Sequence, residues 1–157
     1  MKLYLVRHGE AVDASADPER PLSAYGKDDV GKVARFLCGA GLTEATVYHS
    51  DKLRARQTAV IIASALYPDA EVTERQGLAP NDPVAEWLAE LSAHASDLML
   101  VGHLQFMGRL ASLLLTGKET AEAVHLRTAG VLCLERLAEN AWAVEWMVDP
   151  SLIPKDS

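Results

Sequence analysis

Leu3-Tyr4-Leu5-Val6-Arg7-His8-Gly9 is an apolar run that stops abruptly on a cation, an imidazole and a glycine. The run reads as a short buried strand over Lys2–Val6. A strand that ends on Arg7-His8 sets a permanent positive charge beside a nucleophilic ring, a pairing suited to a phosphate. Three residues recur by chance. The weight of the triplet therefore depends on what the rest of the chain brings to the same end of the sheet.

Strand-like and helix-like segments alternate outward from it. Gly9 to Leu22 is a long loop with Pro18 and Pro21, and loops of that length are usually functional or disordered. Ser23 reads as an N-cap, followed by Val30, Val33, Ala34 and Leu37 at helical spacing, with Gly39 and Gly41 as stops. Thr46–His49 reads as a second strand. Ser50 or Asp51 then caps a helix carrying Leu53, Ala59-Val60-Ile61-Ile62 and Leu66, ahead of Pro68. Ala70–Glu74 reads as a third strand, and Asp82-Pro83 as a helix start with Val84, Trp87, Leu88 and Leu91 as the apolar face. Asp97–Val101 reads as a fourth strand, before an apolar helix over Phe106–Leu115 that Gly117 ends. Val131–Leu137 and Trp142–Val148 form a hairpin through Ala138–Ala141. Trp142, Val144, Trp146 and Val148 alternate at period 2, and the strand's tryptophans are expected in the core.

This order predicts an α/β fold: a three-layer α/β/α sandwich with a mostly parallel central sheet and a C-terminal antiparallel hairpin. A length of 157 residues without repeats or linkers fits one domain over 1–157. Hydrophobic residues make up 49%, enough for a substantial core. The 15 basic and 22 acidic side chains give a formal charge of −7, which argues against a nucleic-acid partner. An acidic protein that binds an anion must gather its few cations at one site. No apolar segment approaches the roughly 18 to 20 residues of a membrane span, and no leader is expected ahead of the first strand. Cys38 and Cys133 read as buried thiols of a cytoplasmic protein. No His, Cys or carboxylate cluster has metal-ligand spacing, so neither metal nor cofactor is implied.

Ligands of such sheets bind beyond the carboxyl ends of the parallel strands. Arg7 and His8 follow the first strand, Arg54 lies in the helix turn after the second, and Gly102-His103 follows the fourth. Taken singly, each has an ordinary use: Arg54 and Arg56 as helix-surface charges paired with Asp51 or Glu44, His103 as a cap or polar filler. All of them after successive strand ends is a different matter. Arginine neighbours disfavour a protonated imidazole and keep it nucleophilic. Arginine also clamps phosphoryl oxygens with a planar fork that never loses its charge. Each such contact is worth on the order of 4 kcal/mol near a surface before desolvation. His49, His94 and His125 have no such company. His94 reads as solvated on its helix, His125 as loop, and His49 as a strand-end residue near the site.

These residues resemble the histidine phosphatase superfamily, the phosphoglycerate mutase-like fold, and within it the short SixA-type phosphohistidine phosphatases. Leu5-Val6-Arg7-His8-Gly9-Glu10-Ala11 resembles the opening motif, and Arg20-Pro21-Leu22-Ser23 with Gly26 the next segment. Ser50 to Thr58 resembles the Ser-Pro-x-x-Arg-Ala-x-Gln-Thr motif, and Leu100-Val101-Gly102-His103 the strand ending in the second histidine. The resemblance implies that His8 is the nucleophile and that Arg7, Arg54 and His103 form the clamp. It implies that Arg20, Gly9 and Gly102 lie around the substrate. Asp51 and Gln105 stand where the family usually has proline.

Mutase-type relatives carry a glutamate proton donor after the third strand. Here Gly77–Pro83 holds only Asp82, which competes for use as a helix cap; Glu10 is the other candidate. A protonated imidazole leaves phosphorus easily, so the missing glutamate favours a P–N substrate. A short chain also has little room for a lid. The leading expectation is phosphohistidine on a partner protein, such as a histidine-containing phosphotransfer domain. Small phosphorylated metabolites handled by a broad phosphomonoesterase, and a non-catalytic phospho-anion-binding module, are the alternatives.

Overall fold

The computed structural model describes residues 1–155. Its strands are β1 (Lys2–Arg7), β2 (Thr46–His49), β3 (Val72–Glu74), β4 (Leu98–Gly102), β5 (Val131–Ala138) and β6 (Ala141–Val148). Its helices are α1 (Ala24–Gly39), α2 (Leu53–Leu66), α3 (Glu86–Ala93) and α4 (Leu104–Thr116). The sheet runs β3-β2-β4-β1-β5-β6, parallel from β3 through β1 and antiparallel across β5 and β6. The expected α/β/α sandwich with its C-terminal hairpin is what forms.

Period-2 alternation along the central strands sorts the core into two halves. Tyr4, Val6, Val47, Met99, Val101, Val131 and Cys133 face α1 and α2. Leu3, Leu5, Leu98, Leu100, Leu132 and Leu134 face α3 and α4. All five β4 residues are buried because both faces of that central strand are covered. No helix among the described residues is long and apolar enough to cross a membrane.

Several local readings need correction. β6 does not keep one face. A register shift between Cys133 and Leu134 pairs them with Trp146 and Val144, so Glu145 is extra on the β6 side. Trp142 consequently packs with the α3/α4 half and Trp146 with the α1/α2 half, its ring centroid 6.0 Å from Tyr4. Both tryptophans still serve the core. Cys38 is exposed, not buried, because α1 turns Val30, Val33, Ala34 and Leu37 inward and leaves the next position outside.

α2 has Lys52 as its N-cap with no side-chain cap bond, so neither Ser50 nor Asp51 takes that place. α3 starts at Glu86 after Ala85, not at Asp82-Pro83. The Asp82 carboxylate instead accepts the Ala79 N–H at 2.9 Å and closes a turn. His94 is not solvated. It ends α3 half-buried, with Nε2 unpartnered and its carbonyl held by Arg136 at 3.0 Å.

Leu100 lies at 0% exposure in the sheet centre, and Val144 is 50% exposed on β6. Leu100→Ala is expected to cost about 2–5 kcal/mol in urea unfolding, and Val144→Thr no more than about 0.5 kcal/mol.

Candidate active site

The parallel register sets Arg7 beside Gly102, so the chain leaves β1 and β4 at the same level. The His8 N–H then donates to the Gly102 carbonyl at 2.9 Å, tying the two strand ends together. His103 follows directly as the N-cap of α4. The two imidazoles meet edge to face with centroids 5.2 Å apart. Arg54, in the first turn of α2, reaches the same point: its Nε donates to His8 Nε2 at 3.3 Å. Four side chains read separately from three strand ends are therefore gathered at one rim.

The His8 tautomer follows from its partners. Nδ1 lies 2.7 Å from the Gly9 carbonyl, which can only accept, so Nδ1 carries the proton. Nε2 faces the Arg54 guanidinium, which can only donate, so Nε2 presents its lone pair. The ring is also hard to protonate. Burial is the first cause, and Arg54, Arg7 and Arg20 add to it against the Gly9 carbonyl; together they bring His8 down to about 4. His103 falls to about 3, again by burial first, then by His8, Arg54, Lys52 and Arg20. The sequence reading credited the arginines alone; burial is the larger effect.

Thr58 fixes this geometry from the next turn of α2. Its buried hydroxyl accepts the Gly9 N–H at 3.1 Å and donates to the Arg54 carbonyl at 2.8 Å. Gly9 can lie this deep because it has no side chain. A Cβ there would stand 2.6 Å from Val30 Cγ2, and one at Gly26 only 2.1 Å from the Glu10 carbonyl oxygen. Gly9 and Gly102, expected around the substrate, thus spend their polar groups inside the protein. Ser50 is the residue that sequence reasoning misplaced. It is fully buried, its Oγ lies 2.8 Å from His103 Nε2, and it accepts the Lys52 N–H at 3.3 Å. Its place directly behind the β2 strand end was the available signal.

Arg7 donates through Nη1 to the Leu126 carbonyl at 2.9 Å, while its Nε is buried without a partner. Arg20 holds the Val12 carbonyl at 3.1 Å from a left-handed backbone (φ 47°), an uncommon conformation for a side chain of this kind. Its charge acts on His8, His103 and Arg54 alike. Among the described residues no carboxylate forms an ion pair with Arg7, Arg20 or Arg54, and none hydrogen-bonds either ring. The pairing of Arg54 with Asp51 or Glu44 therefore does not form; Asp51 is exposed and lies 4.0 Å from Lys52 Nζ.

Glu10 is exposed and contributes its carbonyl, not its carboxylate, to the α1 entry. Asp82 stays in its own turn, which Arg109 anchors through the Pro80 and Asp82 carbonyls at 2.8 and 3.1 Å. His49 is buried with Nδ1 2.9 Å from the Ser50 carbonyl, and His125 is exposed in the loop before β5. Among the described residues no group of His, Cys, Asp and Glu could hold a metal ion.

The family model of the histidine phosphatase superfamily (branch 1) matches residues 3–80. An uncharacterised protein of Picosynechococcus is 38% identical over 142 residues, covering 85% of this chain and 84% of that one. The phosphohistidine phosphatase SixA of Escherichia coli is 29% identical over 123 residues, covering 75% and 76%. A solved structure of the protein histidine phosphatase SixA with tungstate superposes with a TM-score of 0.85 at 25% identity, covering 97% and 99%. A mycobacterial glucosyl-3-phosphoglycerate phosphatase shares the fold with a TM-score of 0.70 at 18% identity, covering 92% and 96%.

With its ordinary value of 6.5 lowered in the fold, His8 is neutral when folded and protonated when unfolded between about pH 6.5 and 4. The unfolded chain binds more protons there, so stability is lost as pH drops from about 6.5 to 4, by on the order of 3 kcal/mol for this ring. NMR titration is expected to show His8 neutral at pH 5, and Arg54→Ala to move its midpoint upward.

Proposed function

The chain belongs to the histidine phosphatase superfamily, and from that premise we propose that it hydrolyses phosphohistidine on a partner protein through a phosphorylated His8. One observation carries the anion site. In a protein of net charge −7, Arg7 and Arg54 stand at one rim with the charge of Arg20 acting on the same rings, and no carboxylate among the described residues forms an ion pair with any of them. Charges gathered this way repel one another until an anion arrives. The buried, unpartnered Nε of Arg7 is a donor waiting for the same ligand.

In the proposed reaction, the long Arg54–His8 contact opens as the guanidinium turns to the phosphoryl oxygens. The His8 Nε2 lone pair attacks phosphorus, and the P–N bond to the substrate imidazole breaks; that ring enters already protonated by solvent on its other nitrogen, keeps the electron pair of the broken bond and leaves as neutral imidazole. Water then attacks the phosphorus of phospho-His8, releasing inorganic phosphate and the free ring. Arg7, Arg54 and Arg20 hold the charge that spreads over the equatorial oxygens. The Ser50 hydroxyl, donating to His103 Nε2, leaves His103 Nδ1–H to donate to the same group.

The choice of substrate rests on the acid. Neither histidine has a carboxylic acid bonded to it, and Asp82 and Glu10 are occupied or exposed elsewhere. An alkoxide leaving group needs a strong proton donor; a protonated imidazole does not. A phosphorylated imidazole fits this site better than a phosphate ester.

Turnover should be compared for a phosphorylated histidine-containing phosphotransfer domain, phosphoramidate and a panel of sugar phosphates. P–N substrates are expected to exceed esters in kcat/KM by about 100-fold, the usual contribution of a missing general acid. Equal turnover of the esters would contradict the proposal and identify a broad phosphomonoesterase. Binding of phosphate with no turnover at all would identify a non-catalytic module.

A further inference from the structure

Arg7 is shared between two places. Its guanidinium lies against the loop before β5, through the bond to the Leu126 carbonyl. It also lines a groove of about 460 Å³, together with Tyr25, Asp29, Lys32, Arg127 and Asp149. The groove therefore begins where the anion site ends. Its size exceeds what a phosphate needs and matches a few amino-acid side chains.

The two places differ in charge logic. At the anion site no carboxylate among the described residues forms an ion pair with the arginines, although Asp51 acts on Arg54 from a distance. In the groove acids stand among the cations. Lys32 lies one turn along α1 from Asp29 and acts on its carboxyl, and Arg127 Nε is 3.9 Å from Asp149 Oδ2. A second phosphate would meet Asp29 and Asp149 beside the cations. A surface carrying both signs would find both matched. Tyr25 adds an aromatic ring that is 66% exposed at the start of α1, next to the groove and outside both core halves. Tyrosine and arginine are the residues enriched at protein-binding surfaces, and Tyr25 and Arg127 supply both here. The opposite pattern, an unpaired basic cluster, would have indicated a bisphosphorylated metabolite.

We propose that this groove receives the polypeptide flanking the phosphorylated side chain of a partner protein, with Tyr25, Lys32 and Arg127 as specificity-determining contacts. The inference rests on the phosphoprotein reading above. It adds where the remainder of that substrate lies. None of the three residues touches the phosphoryl group. Their removal changes how the protein substrate binds and leaves the chemistry intact.

The test compares wild type with Tyr25→Ala/Lys32→Ala on two probes: a histidine-containing phosphotransfer domain phosphorylated on its histidine, and phosphoramidate. KM for the domain is expected to rise about tenfold with kcat within about twofold, while both constants for phosphoramidate stay within about twofold. Unchanged KM for the domain would overturn the inference. So would equal losses on both probes in a variant that melts like wild type. If that variant melts early, Arg127→Ala carries the same expectation, its side chain being 69% exposed. A wild-type enzyme that hydrolyses phosphoramidate but not the domain would contradict the phosphoprotein reading itself, and the groove assignment with it.

Discussion

The His8 ring is held at both nitrogens, by the Gly9 carbonyl at 2.7 Å and the Arg54 guanidinium at 3.3 Å, and this double hold is what the surrounding structure maintains. It fixes which nitrogen is nucleophilic before any ligand binds. The Gly9 side depends on a close passage of backbone past α1, open only to glycine at 9 and 26. The Arg54 side depends on where α2 begins. Thr58 joins the two sides with one buried hydroxyl, so the nucleophile and its clamp move as a unit. Replacing it with valine would leave the buried Gly9 N–H without an acceptor, at a cost of about 1–3 kcal/mol.

Electrostatics and burial act together on this ring. Burial alone penalises an imidazolium; three nearby arginine charges penalise it further. The same arginines favour a dianion by the same Coulomb law. A site that repels protons from its nucleophile and attracts phosphoryl groups does both with one arrangement of charge. The cost is that like charges face one another, as Arg20 does Arg54. Phosphate binding is expected to stabilise the fold for that reason.

The fold was legible because both of its rules are local. Strand alternation and the strand-helix order placed all six strands to within two residues of their bounds. Strand-end position then brought Arg7, His8, Arg54 and His103 together without any knowledge of contacts. What escaped was set by tertiary structure. The β6 bulge that parts Trp142 from Trp146 leaves no trace in a clean period-2 pattern. Asp82-Pro83 carries every sign of a helix start, yet the carboxylate is spent on the Ala79 N–H and the helix begins at Glu86. Ser50 looks like a cap because caps and ring partners use the same hydroxyl; only the position of His103 across the rim decides between them.

The central claim is that the phosphoryl group passes through His8 Nε2. Enzyme mixed with phosphoramidate, quenched in alkali where phosphohistidine survives, and mapped by mass spectrometry and phosphorus NMR tests it directly. The account predicts one phosphoryl group on His8, bonded at Nε2, and none in His8→Ala. Label on His103, or label that persists in His8→Ala, would contradict it.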